Sequence, residues 1–311
     1  MVKEVVKVVL IGVAMGAAEI VPGVSGGTIA FISGIYERLI NALKAFTPNL
    51  FRVLRDQGVK GVWQAIDGQF LAVLFGTMGV TVFLFASGVR YLLDNEPVLI
   101  WSFFFGLVIA SAWVVAREIS RFGVDLLLAG ATGLIIGLII TTMVPINLPI
   151  APWTLFFGGA LAVCAWILPG LSGSFILLIL GLYTYVIDVI GRFDIFNLAV
   201  LAAGCALGLV SFAQLLSRFF KHHRDETLSV LTGFMLGSLT KLWPWKQTVS
   251  YQIRDDGSQI PVLQEPILPS VYVDITGAEA QVGMAIVTGM AGLMIVLLID
   301  WLATRTRDVG R

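Results

Sequence analysis

One fifteen-residue stretch of this chain returns in its second half with the same backbone-shaping residues. Residues 22–36 read PGVSGGTIAFISGIY and residues 169–183 read PGLSGSFILLILGLY, at an ungapped offset of 147. Seven of the fifteen positions are identical: Pro22/Pro169, Gly23/Gly170, Ser25/Ser172, Gly26/Gly173, Ile29/Ile176, Gly34/Gly181 and Tyr36/Tyr183. Pro and Gly set backbone shape as well as filling space. Each copy therefore reads as a helix break, followed by Ser or Thr and more apolar sequence.

Composition makes lipid the solvent. The chain is 58% hydrophobic and only 13% charged, with a mean hydropathy of +0.92, outside the range of soluble domains. Its formal net charge is zero, so no overall field recruits nucleic acid or acidic partners. Cys164 and Cys205 lie in apolar runs and read as small buried hydrophobes, not as a disulfide or metal site. The first apolar run, behind Lys3 and Lys7, has the look of a signal peptide. It leads straight into the repeated motif, so it is read as mature sequence.

Windows long enough to cross about 30 Å of hydrocarbon fall near 69–91, 98–116, 123–144, 196–217, 227–243 and 282–303. The motif regions 4–45 and 150–191 differ. As continuous helix each would run about 60 Å, too long for one crossing and short for two. Both are expected to be re-entrant hairpins turning at Pro-Gly-x-Ser-Gly, a geometry tolerated only where protein or water covers the backbone. Residues 46–67 read as an interfacial helix, and the polar, Pro-containing, β-prone residues 244–281 as an outside loop or short hairpin. This layout puts fifteen of the twenty Lys and Arg on one side, and Arg90, Arg192, Lys241, Lys246 and Arg254 on the other. The bias places both termini in the cytoplasm. Three crossings separate the hairpins, so the expected architecture is an all-α polytopic membrane protein with an inverted repeat. Residues 1–145 and 146–311 form its halves, each one re-entrant hairpin plus three spanning helices. A repeated break in such halves is the pointer to a transport site near the bilayer midplane.

After each break a half-helix starts inside the membrane, with unpaired N–H groups and the positive end of its dipole. Ser25, Thr28, Ser172 and Ser174 add hydroxyls there, while Gly26, Gly27 and Gly173 let the backbone approach a ligand closely. This pattern suits an anion; the alternative is that small residues only permit tight helix contact. Glu19, three residues before Pro22, is costly in hydrocarbon. It is expected to face a polar cavity, pair with a cation or carry a proton; the plainer reading is a protonated group bonded within its hairpin. Its counterpart at the 147 offset is Trp166. Arg38, Arg90 and Arg117 are the candidate cations, although Arg117 and Glu118 also fit the plain end of a span. Asp188 and Arg192 read as an interfacial ion pair. The Gly pairs 12/16, 133/137, 204/208 and 233/237 have helix-packing spacing. No Walker lysine, His/Cys metal spacing or nucleophile elbow occurs.

The segments EIVPGVSGGTIAFISGIYERLI and LPGLSGSFILLILGLY, in a membrane chain of this length, resemble a bacterial family associated with undecaprenyl-phosphate translocation, the PopT type. The resemblance covers essentially the whole chain. It implies a multi-pass protein of the bacterial cytoplasmic membrane, not an enzyme, that returns the lipid carrier undecaprenyl phosphate to the inner leaflet for envelope synthesis. By motif it implies Glu19, Pro22, Gly23, Ser25, Gly26, Gly27 and Thr28 in the first copy as substrate-binding residues. In the second copy these are Pro169, Gly170, Ser172, Gly173 and Ser174, and Arg38 and Arg117 join them as candidate cations. No cofactor is expected beyond a coupling proton or cation. The expected partners are undecaprenyl phosphate and membrane lipids, without nucleic acid, and a homodimer is compatible with the reading. Two other classes stay open. One is a phosphatase of undecaprenyl pyrophosphate, whose PGxSRS motifs are distantly similar but carry Arg where this chain has Gly26 and Gly173. The other is a small-anion secondary transporter.

Overall fold

A computed structural model describes residues 2–21, 25–146, 148–253 and 259–308. Pro22 and Gly23 lie outside the described residues. The first motif region comprises α1 (Val2–Glu19), α2 (Gly26–Ile32) and α3 (Tyr36–Lys44). Then follow α4 (Asn49–Ala65), α5 (Gly68–Asn95), α6 (Pro97–Arg117) and α7 (Val124–Thr142). The second motif region comprises α8 (Pro152–Ile167), α9 (Gly173–Ile179) and α10 (Tyr183–Gly191). It is followed by α11 (Ile195–His222), α12 (Arg224–Leu242), β1 (Lys246–Ile253), β2 (Gln259–Pro266), α13 (Pro269–Thr276) and α14 (Val282–Asp308).

The elements repeat as the motif does. α2 and α9 start 147 residues apart and are both 7 residues long, and α3 and α10 are both 9. Gly34 and Gly181, identical in the motif, have φ of 73° and 70°. A Cβ strains this left-handed backbone, so the glycines form a second corner that the single-turn hairpin expected from sequence did not include. At the Gly181 corner α9 and α10 are bent by 113°.

Among the described residues, α5, α6, α7, α11 and the Val282–Trp301 part of α14 are long and apolar enough to cross a membrane, and the bent α9–α10 pair would add a sixth span. α12 fills the expected 227–243 window but carries Arg224, Asp225, Glu226 and Lys241. Its middle can afford polar residues because protein surrounds it, with Thr227, Ser229 and Ser238 all buried. Among the described residues, the departure from an all-helical chain is the antiparallel β1–β2 pair, in the segment expected to hold a loop or short hairpin.

Helices pack in pairs: α1 along α5, α8 along α11, α7 along α12 and α6 along α14. Glycines set how closely they approach. A methyl at Gly137 would stand 2.7 Å from the Phe234 carbonyl, one at Gly208 2.5 Å from that of Ala160, and one at Gly16 2.8 Å from that of Met78. The spacings noted in the sequence are thus backbone contacts between helices, the usual use of small residues in lipid. Both cysteines sit free in the α8–α11 seam, Cys164 Sγ on the Gly208 carbonyl and Cys205 Sγ on that of Gly159.

α4 is kinked at Gly58, and among its residues only Gly61 is buried. Phe51, Leu54, Val59 and Trp63 are exposed on a helix that also carries Arg52, Arg55 and Lys60, the make-up of a helix lying in an interface.

Candidate functional site

The two breaks meet inside the bundle. The Ser25 hydroxyl donates to the carbonyl of Trp166 at 3.1 Å, and the Tyr36 hydroxyl donates to that of Ile167 at 3.0 Å. The Gly170 amide donates to Thr28 Oγ1 at 3.0 Å. Gly27 packs so close that an added methyl would lie 2.6 Å from the Ile167 carbonyl. A break exposes carbonyls and amides that helix would have paired, and these cannot stay orphaned in a dry interior. The first motif's side chains satisfy the second motif's backbone.

The first break is also closed on itself. Glu19 Oε1 accepts the Gly26 amide at 2.6 Å, and Ser25 Oγ caps α2 by accepting the Gly27 amide at 3.0 Å. The α2 dipole favours a carboxylate at that end. The Trp166 indole stands beside Glu19, so the residues at equivalent repeat positions are neighbours. Ser25 and Thr28 are fully buried, and both hydroxyls are engaged with protein.

The second break is more open. Ser172 makes no side-chain cap on α9; its hydroxyl instead shares a 2.8 Å hydrogen bond with that of Ser174. Gly170 has φ of 94°, and a methyl there would stand 3.0 Å from Met235 Cα and from Ser238 Oγ on α12. Only glycine combines that backbone with that approach. Ser174 lines a cavity of about 290 Å³ with Asp94, Trp101, Phe175, Tyr183, Lys241 and Gln264 among its other walls. Here α9, α10 and α12 meet the α5–α6 turn and β2.

The candidate cations from the sequence are elsewhere. Arg38 binds Asp67 at 2.6 Å and Glu4 at 2.7 Å, Arg117 binds Asp300 at 2.7 Å, and Arg90 is exposed. Glu118 pairs with Arg224 at 3.0 Å, and Arg192 with Asp188 at 2.7 Å as expected. The cations at the cavity are ones the sequence reading counted only as charges of the sparser side. The Lys241 ammonium lies 4.6 Å from the centre of the Phe175 ring, and the Lys246 ammonium 3.2 Å from that of Trp101. Lys246 also donates to the Lys241 carbonyl at 2.6 Å. Burial and the neighbouring Lys241 charge push the Lys246 ammonium pKa well below its ordinary 10.5. Two lysines flanking Trp243 and Trp245 were the signal available in the sequence.

Fold and site together define a polytopic membrane protein whose two broken-helix segments interlock in its interior, with a cavity of aromatic and apolar walls and a few polar groups against one of them. A family described as VCA0040-like, undecaprenyl phosphate translocase-like, matches residues 15–260. A polyprenyl-phosphate transporter of Vibrio cholerae is 42% identical over 286 residues, covering 92% of this chain and 93% of the relative. One of Staphylococcus aureus is 29% identical over 266 residues, covering 76% and 85%. No solved structure matches. The chain belongs to the undecaprenyl phosphate translocase-like family.

Proposed function

We propose that this protein carries a polyprenyl phosphate, with undecaprenyl phosphate as cargo, across the bacterial cytoplasmic membrane without hydrolysing it, both termini lying in the cytoplasm. The observation that carries the reading is the direct interlock of the two motif breaks. A phosphate cannot cross hydrocarbon bare, since transfer of an ion costs tens of kcal/mol. Two backbone breaks that meet at one place offer polar groups in place of water, while the tail stays in lipid. An apolar groove of about 460 Å³, lined in part by Leu168, Phe212, Leu216 and Leu231, gives the tail a way in beside the second break.

The halves 1–145 and 146–311 are read as inverted repeats that rock about the breaks. Packing supports this: exchanging the halves turns α1 on α5 into α8 on α11, and α7 on α12 into α14 on α6. One break closed and the other beside a cavity is the asymmetry of one access state. In that state Glu19 holds the α2 terminus, and its protonation or displacement frees the Gly26 amide for phosphate as the cargo passes. The binding residues are then Glu19 to Thr28 in the first break and Pro169 to Ser174 in the second.

The test is a reconstituted leaflet assay. Labelled undecaprenyl phosphate placed in one leaflet should reach the other without release of inorganic phosphate. Phosphate release from undecaprenyl pyrophosphate would move the protein to the phosphatases, and uptake of soluble anions alone would make it a small-anion carrier.

A further inference from the structure

The cavity beside the second break gathers more lysines than carboxylates. Lys241 closes the last turn of α12. A lysine ammonium has three protons to donate, yet among the described residues no protein oxygen accepts one from Lys241, whose neighbour is the Phe175 ring face. Lys246 gives one hydrogen bond to the Lys241 carbonyl and rests on Trp101, itself a cavity wall. Asp94 is the acidic side chain in the lining, and it forms no ion pair with either lysine among the described residues. Lys241 in the lining and Lys246 behind the Trp101 wall set two lysines against the one acidic side chain of the lining. The same walls offer the Ser174 hydroxyl, the Tyr183 ring and the Gln264 amide.

We propose that this cavity is the head-group site for a phosphate monoester at the β-hairpin end of the molecule, with Lys241 as its direct cation and Lys246 as the second positive charge. The proposal rests on the polyprenyl-phosphate reading above and deepens it. A monoester carries between one and two negative charges near neutral pH and three strong acceptor oxygens, which two lysines and the Ser174 hydroxyl can meet; a neutral head group would give Lys241 no charge partner. Ordinary snorkelling would put the ammonium groups in water; here each rests on an aromatic face. The seat also lies next to Ser174, so a phosphate bound there is already at the second break. The depressed pKa of Lys246 is consistent with a site that takes up a proton when an anion enters, its charged neighbour being Lys241 and its ring contact Trp101.

The experiment uses the full chain in nanodiscs of zwitterionic lipid, titrated with farnesyl phosphate, inorganic phosphate and farnesol. Farnesyl phosphate should bind, farnesol should not, and inorganic phosphate should bind more weakly at the same place. Lys241→Met should weaken farnesyl phosphate at least about tenfold, the scale of a lost hydrogen bond to a charged group, and Lys241→Arg should restore most of it. Lys44→Met, in the last turn of α3 where the lysine donates to Ser217 Oγ, should leave binding unchanged. In the unmutated chain, farnesyl phosphate should protect Lys241 from acylation, read by peptide mass spectrometry, and farnesol should not. Unchanged affinity in a folded Lys241→Met protein, or acylation indifferent to the phosphate, would overturn the site. Transport that survives Lys241→Met at full rate sinks this proposal and leaves the transport reading standing. Lys241-dependent binding without movement between leaflets does the reverse.

Discussion

Thr28 Oγ1 accepts the amide of Gly170, 142 residues further along the chain, at 3.0 Å. With Ser25 on Trp166 and Tyr36 on Ile167, it ties one motif to the other through backbone that neither break could satisfy alone. The repeat is therefore more than two copies of one site: the first copy is part of the second copy's structure.

The buried Tyr36 hydroxyl is the most separable of the three. Tyr36→Phe keeps the ring against Phe31 and Phe220 and leaves the Ile167 carbonyl unpaired. An unsatisfied buried acceptor costs about 1–3 kcal/mol, so thermal unfolding in detergent should show a clear loss of stability. An unchanged midpoint would mean that water or another donor takes the place.

Glu19→Gln tests the carboxylate without removing the acceptor. The amide oxygen can still receive the Gly26 amide, so folding should be little affected, while a group that must gain or lose a proton is gone. Leaflet transfer should fall by about a hundredfold or more, the low end of a general acid–base contribution. A wild-type rate across the pH range would remove Glu19 from the mechanism.

Serine replacement should divide the two motifs. Ser25→Ala removes the α2 cap and the bond to Trp166, so its main effect should be on stability, about 1 kcal/mol for the cap alone. Ser172→Ala and Ser174→Ala leave no protein amide uncapped, so they should act on substrate affinity. Equal loss of stability from all three in calorimetry would contradict that division.

Lys246 gives a pH signature. Its pKa is depressed in the fold by burial and by Lys241. The unfolded chain therefore binds a proton that the folded one resists, and stability is lost as pH falls below the unfolded value of 10.5. Lys246→Met should then raise the unfolding temperature near neutral pH, and the gain should shrink as pH rises toward 10.5. A variant no more stable than the parent at neutral pH would show that the cation's contact with Trp101 outweighs its burial.

What could be read from sequence follows from what is local. The offset of 147 located the starts of α2 and α9, because a Gly-Ser break acts on its own few residues. The glycine pairs located helix contacts, because close approach needs a missing Cβ wherever it occurs. The Gly34 and Gly181 corner was present as an identity but lacked a reason until its φ was known. The partners of Ser25, Thr28 and Tyr36 were not legible, since each lies more than 130 residues away and a hydroxyl can serve a ligand or a backbone equally well. The three arginines were chosen by proximity to breaks and span ends, whereas Asp67, Glu4 and Asp300, brought in by tertiary packing, hold two of them. Lys241 and Lys246 were passed over because a lysine at a helix end ordinarily reaches for water; the aromatic cover given by Phe175 and Trp101 appears only in the fold.

The most direct measurement joins the breaks covalently. With Cys164 and Cys205 replaced by Ala, Ser25→Cys and Ile167→Cys are bridged by a short reducible cross-linker, and undecaprenyl phosphate transfer between leaflets is followed in vesicles. The account requires transfer to stop when the bridge is in place and to return on reduction, because the cargo passes only when the interlock opens. Transfer at an undiminished rate through a fully bridged protein would contradict it.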